Sequence, residues 1–473
     1  MKMLIGGEWI DKKEKIEVQN PYDGTVVDTV PRADAEDLYR AIGSAEVGLK
    51  EISAISSYDR SQILSRAADL IRKRADEMAI AMSKEVGKTL KEAKGEVSRA
   101  YQTITLSSEE AKRIYGETLP FDAAPGGQHK MGFAMRVPVG VIGAISPFNF
   151  PLNLVCHKVG PAIAAGNSVV LKPASATPLS ALLLAEVLLE AGLPANSLNV
   201  ITGSGGTIGM GLVKSEKVRM ITFTGSLEVG KEITANAGLK KLTMELGSNS
   251  CCIVMNDANL ERAAKRIRIG GYALAGQVCI SVQRVLVHKD IFEESLAMLK
   301  KEVQSIKTGN PLDDSTDMGP MIDEASAARA EEWVGEAQAR GAKIVMGGGR
   351  VKTMFEPTML RDAPRDCKVW FREAFAPLIV VNPFKTLDEA IEAANDSEYG
   401  LQAGMFTKDL KSAFEAAKRI EVGGVMINEI PTYRADLMPY GGVKGSGLGR
   451  EGPRYAVQEM TELRAVGFDL QDS

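Results

Sequence analysis

Two residues that can perform covalent carbonyl chemistry lie 34 positions apart in this chain. Cys279 ends the polar, glycine-containing segment Gly276-Gln277-Val278-Cys279, and a cysteine thiolate is a strong nucleophile. Glu245 ends a strand-like run that starts at Lys241, and a carboxylate can act as a general base toward water. Either residue alone is more often structural, because buried cysteines commonly serve as small apolar side chains and glutamates are commonly solvated.

A third group with suitable chemistry is Asn149, in Pro147-Phe148-Asn149-Phe150-Pro151. The two prolines restrict the backbone, so the side-chain amide can be a preorganised donor to an oxyanion. An asparagine in a proline turn also commonly caps the local backbone. The three groups together nevertheless predict a site that attacks a carbonyl, holds the oxyanion and activates water.

Composition limits the class of protein. The 473 residues are 45% apolar and 25% charged, as in a soluble chain of two or three domains. A net charge of -4 gives no excess of positive charge that would favour binding to nucleic acid or an anionic membrane. No apolar run reaches the roughly 18 residues of a membrane span, and the N-terminus turns polar too soon for a signal peptide. Five scattered cysteines without a CxxC pair and only three histidines predict no metal site and no disulfide framework, which fits the cytoplasm.

Periodicity predicts the elements that position these residues. Residues 33–115 are expected to form a run of helices, one of them with Ser57 as N-cap and Asp59 in its first turn. Short apolar runs then alternate with helical segments, which predicts a parallel, doubly wound sheet. Its strands are predicted at 139–145, 167–171, 198–201, 220–223 and 241–245, and its helices at 179–191 and 205–213.

A second α/β series follows Glu245, so the predicted fold class is α/β with two doubly wound domains and a small β element. Strands are predicted at 251–255, 284–288, 378–381 and 424–427, and helices at 260–274 and 292–306. Residues 121–135 are predicted to form a projecting hairpin that, with the tail after residue 453, would add strands to a neighbouring subunit. The predicted division is a dinucleotide-binding domain at 1–116 and 139–246, a nucleophile domain at 247–428, an oligomerisation element at 117–138 and 453–473, and a cleft loop at 429–452.

Over nearly its whole length the chain resembles the aldehyde dehydrogenase superfamily, because seven motifs occur in that family's order. They are Pro147-Phe148-Asn149-Phe150-Pro151, Leu171-Lys172-Pro173-Ala174-Ser175, Phe223-Thr224-Gly225-Ser226, Met244-Glu245-Leu246-Gly247, Gly276-Gln277-Val278-Cys279, Glu373-Ala374-Phe375 and Pro439-Tyr440-Gly441-Gly442-Val443-Lys444. The resemblance implies the family's fold, a small aldehyde as substrate, and a homodimer or homotetramer.

The resemblance also implies a role for each of the three reactive residues. Cys279 as thiolate would attack the aldehyde, and the Asn149 amide with the Cys279 backbone N–H would hold the oxyanion. Hydride would leave the thiohemiacetal for a nicotinamide, and Glu245 would then activate the water that hydrolyses the thioester to an acid. CoA-acylating relatives generally lack this glutamate, and a silent structural member would be expected to lack one of the three groups.

The cofactor segment, Gly203-Ser204-Gly205-Gly206-Thr207-Ile208-Gly209, departs from GxGxxG and is a weak signal alone. In similar enzymes the residue matching Gly205 lets the adenosine approach, the one matching Ser226 touches the pyrophosphate, and the one matching Glu373 holds the nicotinamide ribose. By the same resemblance, Phe375 would pack beside the nicotinamide and Lys172 would reach the adenine ribose. The other implied contacts are Gly209, Gly225 and Leu246.

Ser175 bears on the choice of cofactor. Relatives that prefer NAD often carry a glutamate at this position, which repels a 2′-phosphate. A serine beside Lys172 removes that repulsion and leaves a donor and a cation for the phosphate. The sequence therefore favours NADP, with NAD still usable.

Two departures from the family pattern indicate a subfamily. The usual Glu-Leu-Gly-Gly-Lys reads Glu245-Leu246-Gly247-Ser248-Asn249, and the common tryptophan before the catalytic asparagine is Phe148. In these features the chain is similar to lactaldehyde and non-phosphorylating glyceraldehyde-3-phosphate dehydrogenases.

The substrate is predicted to be a short aldehyde that is 2-hydroxylated or carries an anion. Arg99, Tyr101, His157 and Arg434 are the candidate contacts, since arginine suits a carboxylate, phosphate or sulfonate and histidine suits a hydroxyl or an anion. The alternative is that the two arginines form structural ion pairs. Succinate semialdehyde remains an alternative substrate, and a CoA-acylating enzyme or a non-catalytic member remain alternative functions.

Overall fold

The two α/β series fold into two large sheets. The structure is a computed structural model that describes residues 1–471. The strands are β1 Met3–Ile5, β2 Glu8–Ile10, β3 Lys15–Gln19, β4 Val26–Pro31, β5 Glu117–Leu119, β6 Lys130–Pro138, β7 Val141–Ile145, β8 Ser168–Lys172, β9 Leu198–Val200, β10 Val218–Thr224, β11 Lys241–Glu245, β12 Cys251–Val254, β13 Arg284–His288, β14 Lys343–Met346, β15 Arg350–Val351, β16 Met354–Phe355, β17 Thr358–Arg361, β18 Leu378–Phe384, β19 Gln402–Phe406, β20 Gly424–Ile427, β21 Gly447–Leu448 and β22 Thr461–Asp469. The α-helices are α1 Ala35–Ala54, α2 Ser57–Lys73, α3 Ala75–Val86, α4 Leu90–Glu110, α5 Asn153–Ala164, α6 Leu179–Glu190, α7 Met210–Lys214, α8 Leu227–Asn236, α9 Leu260–Tyr272, α10 Phe292–Gln304, α11 Glu324–Ala339, α12 Lys368–Phe371, α13 Leu387–Asn395, α14 Leu410–Arg419 and α15 Pro453–Glu459.

The first sheet has the strand order β2-β1-β9-β8-β7-β10-β11-β21. Its five central strands, β9 to β11 in that order, are parallel and follow the 3-2-1-4-5 succession of a Rossmann sheet. Ile142 and Val169 lie in one hydrophobic core, whereas Val141 and Val170 lie in another. Both faces of β7 and β8 are therefore covered, which explains their unbroken apolar sequences.

The second sheet has the order β14-β17-β18-β13-β12-β19-β20. Strands β18, β13, β12, β19 and β20 are parallel and repeat the 3-2-1-4-5 succession. The chain passes from the first sheet to the second directly after Glu245, the last residue of β11. The predicted α/β fold with two doubly wound sheets is confirmed.

A third sheet, β22-β6-β5, contains the predicted hairpin, but its strands lie elsewhere than predicted. Its arms are β5 and β6, and Phe121 begins a short 3-10 turn instead of a strand. The tail first forms α15 and then β22, which pairs with β6 from Thr461↔Pro138 to Asp469↔Lys130. The tail and the hairpin thus pair within one chain.

The helices before residue 115 are α1 to α4, as predicted, but the N-cap of α2 is not Ser57. Ser56 has extended backbone, and its Oγ accepts a hydrogen bond from the Asp59 amide at 3.1 Å. The prediction was one residue late, because Ser57 is already helical and only the residue before it can turn its side chain onto the free amides. No helix within residues 1–471 is both long and apolar enough to cross a bilayer.

Candidate active site

A cavity of about 1030 Å³, here termed the cleft, opens where the two sheets meet. The first sheet lines it with the residues after β7 and β10, including Asn149 and Ser226. These two strands are adjacent at the point where the strand order reverses, which is where open α/β sheets bind ligands. The other wall of the cleft includes Cys279, Glu373 and Phe375.

Cys279 follows a loop with unusual backbone geometry. Leu274 and Ala275 have φ values of 48° and 51°, a left-handed conformation that costs a non-glycine residue about 1–3 kcal/mol. Gly276 has φ of 69°, and a Cβ there would lie 1.9 Å from the Ala376 carbonyl oxygen. The close packing of this loop against the residues near Phe375 therefore requires the glycine and maintains the strained turn.

Helix α4 holds both halves of the reactive site. Glu92 Oε1 accepts a hydrogen bond from the Leu274 amide at 2.8 Å, at the start of the Cys279 loop. One turn further along, Glu96 Oε1 accepts from the amides of Leu152 and Asn153 at 3.0 and 2.9 Å, at the beginning of α5. A carboxylate at a helix N-terminus satisfies amides that have no partner within the helix.

The Asn149 side chain bridges the two walls of the cleft. Its Nδ2 donates a hydrogen bond to the Gln277 carbonyl oxygen at 2.9 Å, and its Oδ1 accepts from the Phe150 amide at 3.1 Å. Because an amide nitrogen carries two hydrogens, a second N–H remains beyond the one directed at Gln277. The predicted oxyanion donor is therefore fixed directly to the loop that carries Cys279.

The Cys279 thiol lies partly exposed, 3.1 Å from the Tyr440 hydroxyl oxygen. Desolvation raises the pKa of the thiol to about 12, and the hydrogen bond with Tyr440 opposes that rise. The other four cysteines are buried, so they offer no comparable nucleophile.

Glu245 lies outside the lining of the cleft and is enclosed by protein. Neither carboxylate oxygen has a hydrogen-bond partner within residues 1–471. Desolvation raises the pKa of Glu245 well above its usual range, and the charge of Glu451 raises it further. Gly441 leaves room for this carboxylate, since a Cβ at 441 would lie 2.8 Å from Glu245 Oε1.

A buried ionic network lies next to Glu245. Glu451 accepts hydrogen bonds from Lys158 Nζ and Arg434 Nη2, both at 3.0 Å, and these cations bring its pKa to about 2 despite burial. Lys158 also donates to the hydroxyls of Thr222 and Thr224. The Arg434 guanidinium stacks on the ring of Tyr440, 3.7 Å from its centroid.

The four predicted substrate contacts are placed outside the lining of the cleft. Arg99 makes a two-point pair with Asp436 at 3.1 and 2.7 Å, and His157 Nε2 contacts the same carboxylate at 2.9 Å. Burial lowers the pKa of His157 to about 4, and the charge of Arg434 adds to this effect. Tyr101 lies under the guanidinium of Arg72.

Eight of the nine predicted cofactor contacts line the cleft: Lys172, Gly205, Gly209, Gly225, Ser226, Leu246, Glu373 and Phe375. Ser175 is exposed nearby, and its hydroxyl donates to the Gly203 carbonyl at 3.1 Å. Lys172 is buried, which lowers its pKa to about 8. Its Nζ donates a hydrogen bond to the Pro173 carbonyl oxygen at 3.0 Å.

The cleft fits a dinucleotide by its shape and its polar groups. Gly205 and Gly206 present backbone with open space where a Cβ would stand, within the described chain. Glu373 Oε1 accepts from the Ser248 amide at 2.9 Å, and a Cβ at Gly247 would lie 2.4 Å from its Oε2. The rings of Phe148 and Phe375 meet edge to face across the cleft, 5.8 Å apart.

Sequence reasoning assigned no role to several residues of the site. Tyr440 was recognised only within a motif, and Lys158, Asp436 and Glu451 were not singled out. No local pattern marks them, because each acts through partners far away in the sequence. Among residues 1–471, no group of three or more histidine, cysteine or acidic side chains is arranged to hold a metal ion.

Two Rossmann-type sheets around a large cleft with a cysteine in its lining are the arrangement expected of a nicotinamide-dependent oxidoreductase with a thiol nucleophile. Residues 9–466 match the model of the aldehyde dehydrogenase family, and the chain belongs to that family. It is therefore an NAD(P)-dependent aldehyde dehydrogenase, and the predicted family resemblance is confirmed.

Three similar proteins illustrate the range of the family near this chain. A 3-sulfolactaldehyde dehydrogenase of Priestia aryabhattai is 49% identical over 468 residues, which cover 99% of this chain and 98% of the relative. Aspartate-semialdehyde dehydrogenase 1 of Pseudomonas canavaninivorans is 46% identical over 455 residues, covering 96% and 97%. The crystal structure of glyceraldehyde-3-phosphate dehydrogenase GapN of Methanocaldococcus jannaschii complexed with NADP has a TM-score of 0.94 at 38% identity, covering 97% of this chain and 100% of that one.

Proposed function

We propose that this enzyme oxidises a short aldehyde, 2-hydroxylated or carrying an anion, to the carboxylic acid, and that it prefers NADP. The observation that carries the reaction is the hydrogen bond from Asn149 Nδ2 to the Gln277 carbonyl, two residues before Cys279. It fixes an amide donor beside a thiol, within a cleft whose lining also holds the proposed cofactor contacts. A nucleophile and an oxyanion donor held together in this way are what acyl chemistry requires.

The chain's own residues would hold the cofactor along the cleft. Lys172 and Ser175 would take the adenosine ribose and its 2′-phosphate, Ser226 the pyrophosphate, and Glu373 the nicotinamide ribose. When bound, the nicotinamide supplies a hydride acceptor. Phe375, two residues after Glu373, lines the same cleft as Cys279 and packs on Phe148, so it would direct the ring toward the thiol.

Cys279 would form a C–S bond to the aldehyde carbon, while the carbonyl electron pair moves onto oxygen. The Asn149 side-chain N–H and the Cys279 backbone N–H would stabilise that oxyanion, and removing one such donor typically costs about a hundredfold or more in rate. Once the thiohemiacetal has been oxidised to a thioester, Glu245 would take a proton from water as the oxygen attacks. Hydrolysis then releases the acid and returns Cys279 to the thiol.

An anionic or hydroxylated substrate is supported by the relatives and by one side chain. The names of the three similar proteins specify aldehydes that carry a sulfonate, a carboxylate or a phosphate. Arg434 is buried near Cys279, and its Nε has no hydrogen-bond partner within residues 1–471. This arginine therefore retains a donor beyond its pair with Glu451. Arg99 is the weaker candidate, because Asp436 already engages its Nε and Nη2 atoms.

A substrate panel run with both nucleotides tests the proposal. Lactaldehyde, 3-sulfolactaldehyde, glyceraldehyde 3-phosphate, succinate semialdehyde, aspartate semialdehyde and propanal should be compared by kcat/KM. The proposal expects the highest values for hydroxylated or anionic aldehydes with NADP. A clear preference for long-chain or aromatic aldehydes would contradict the proposed substrate class, and a clear preference for NAD would contradict the proposed use of NADP.

Two controls separate the alternative functions. Cys279→Ala should abolish oxidation while leaving cofactor binding nearly intact, and retained turnover would refute the assigned nucleophile. Added CoA should leave the yield of reduced cofactor unchanged. A CoA-dependent yield would instead indicate the acylating reaction.

We further propose that the two sheets represent the cofactor and nucleophile domains, divided near residue 246, and that β5, β6 and β22 form the oligomerisation element. Large apolar side chains are exposed on this element: Met131, Phe133, Met135, Leu463 and Phe468. Coverage by a second copy in a homodimer or homotetramer would bury them. Light scattering should give the molar mass of an oligomer, and Phe133→Glu should lower that mass by favouring dissociation.

A further inference from the structure

The hydroxyl of Tyr440 is directed at the nucleophilic sulfur. Its oxygen lies 3.1 Å from Cys279 Sγ, although the two residues are 161 positions apart. Tyr440 is 2% exposed, and a buried tyrosine hydroxyl needs a hydrogen-bond partner. A phenol donates readily, whereas a neutral thiol is a weak donor and a weak acceptor. The contact therefore becomes strong only when the sulfur carries a negative charge.

The surrounding structure fixes Tyr440 from three directions. Its amide donates to the Glu451 carbonyl at 3.1 Å, and its carbonyl accepts from the Glu451 amide at 2.7 Å. The Arg434 guanidinium lies on its ring, and the Glu451 carboxylate, which also pairs with Lys158, holds that guanidinium in place. A cation on the ring face draws electron density from the phenol, so the O–H becomes a better donor.

We propose that Tyr440 is a further catalytic residue, whose hydroxyl donates a hydrogen bond to the Cys279 thiolate and stabilises it for attack. This inference rests on the proposed role of Cys279 as nucleophile. In the ionisation step the S–H bond breaks, the proton passes to solvent, and the electron pair stays on sulfur. That pair then forms the C–S bond, while Tyr440 keeps its own proton throughout.

The electrostatic surroundings agree with this assignment. Burial raises the pKa of Tyr440 well above its usual range, so the hydroxyl stays protonated as a donor. The charged groups that act on Cys279 are Glu373 and Glu245, which disfavour the thiolate, and Arg434, which favours it. Tyr440 is the group that favours the thiolate by a direct hydrogen bond.

The test is alkylation of Cys279 in Tyr440→Phe, a change that keeps the ring and the Arg434 stack. The other cysteines are at most 2% exposed, so iodoacetamide reports on Cys279. Loss of a hydrogen bond to a charged group should raise the thiol pKa by about one to two units. A higher pKa lowers the fraction of thiolate near neutral pH, and the accompanying rise in thiolate nucleophilicity offsets only part of that loss. Alkylation near neutral pH should therefore slow by about three- to tenfold.

A second reagent distinguishes thiolate stabilisation from altered access. Methyl methanethiosulfonate, which has a different shape, transferred group and leaving group, should react more slowly with Tyr440→Phe than with the unsubstituted enzyme by a similar factor, and kcat/KM should fall as well. The matched control is Tyr58→Phe, at a tyrosine that is 63% exposed, which should leave both rates unchanged. Alkylation curves of Tyr440→Phe that overlay those of the unsubstituted enzyme, or clearly unequal slowing of the two reagents, would overturn the proposal.

Failure of this inference can be told apart from failure of the proposed function. An inactive Cys279→Ala variant combined with unshifted alkylation in Tyr440→Phe would overturn the role of Tyr440 alone. Full turnover by Cys279→Ala would overturn the nucleophile itself. The unfolding temperature of Tyr440→Phe should match that of the unsubstituted enzyme, which confirms that the comparison is made between folded proteins.

Discussion

Replacing Gly441 with alanine is predicted to slow thioester hydrolysis while leaving acylation of Cys279 nearly intact. The added Cβ would lie 2.8 Å from Glu245 Oε1, 2.7 Å from the Gly449 carbonyl oxygen and 2.9 Å from Arg450 Cδ. All three contacts are too close, and the Gly449 oxygen belongs to the backbone. The Glu245 carboxylate must therefore move away from the position that the native structure gives it.

The size of the effect follows from the cost of overpacking, typically about 1–3 kcal/mol. If this cost falls on the hydrolysis transition state, the rate should drop by about fivefold to about 150-fold. Stopped-flow measurement should then show a burst of reduced cofactor, close to one equivalent per active site, followed by slow turnover. Gly43→Ala in α1 is the matched control, because within the described chain no heavy atom beyond its chain neighbours and the backbone of its own helix lies within 4 Å of its Cβ position. Equal slowing of burst and steady state in Gly441→Ala, or no change in either, would refute the reasoning.

Two further variants test the charges of the site. Asp436→Asn should destabilise the fold by about 2–3 kcal/mol, the low end for a broken buried pair, because the Arg99 side chain is 31% exposed. Desolvation raises the pKa of Asp436, but its bonds to His157 and Arg99 outweigh that and hold it below the unfolded value of 3.8. The difference in urea-unfolding free energy between the unsubstituted enzyme and Asp436→Asn should therefore be largest near pH 7 and shrink as the pH falls below 3.8. Equal differences at pH 7 and pH 3 would contradict this. Ser175→Glu should lower kcat/KM for NADP by roughly fivefold or more and spare NAD, since like charges about 4 Å apart repel by about 1 kcal/mol or more; equal losses with both cofactors would count against a 2′-phosphate site at Ser175.

The fold was predictable because its central strands are buried on both faces. Such strands carry continuous apolar runs, and the observed bounds of β13 equal the predicted ones. The edge strand β20 also has the predicted bounds, although its residues are only partly buried or exposed. The short strands β1 and β2 were not predicted, because each has only three residues and even the apolar run Met3–Ile5 is too short to indicate a strand. The N-cap of α2 was misplaced by one residue because two serines stand side by side.

Candidates for the reactive residues could be named from the sequence because the proposed chemistry resides in single side chains. The sequence places Asn149 and Cys279 between predicted elements and Glu245 at the end of a predicted strand, and such positions commonly carry function. Their partners were not predictable in the same way. Arg99 meets Asp436 across 337 positions, so no local pattern could show that its charge is already paired. The contact between Tyr440 and Cys279 likewise exists only in the folded chain.

In the proposed mechanism Cys279 forms the thioester, and Glu245 activates the water that hydrolyses it. The most direct measurement is intact-protein and peptide mass spectrometry of Glu245→Gln after incubation with aldehyde and NADP. We expect one acyl group per chain on the peptide containing Cys279, formed together with about one equivalent of reduced cofactor and little further turnover. Continued turnover without an adduct, or an adduct on another residue, would contradict it.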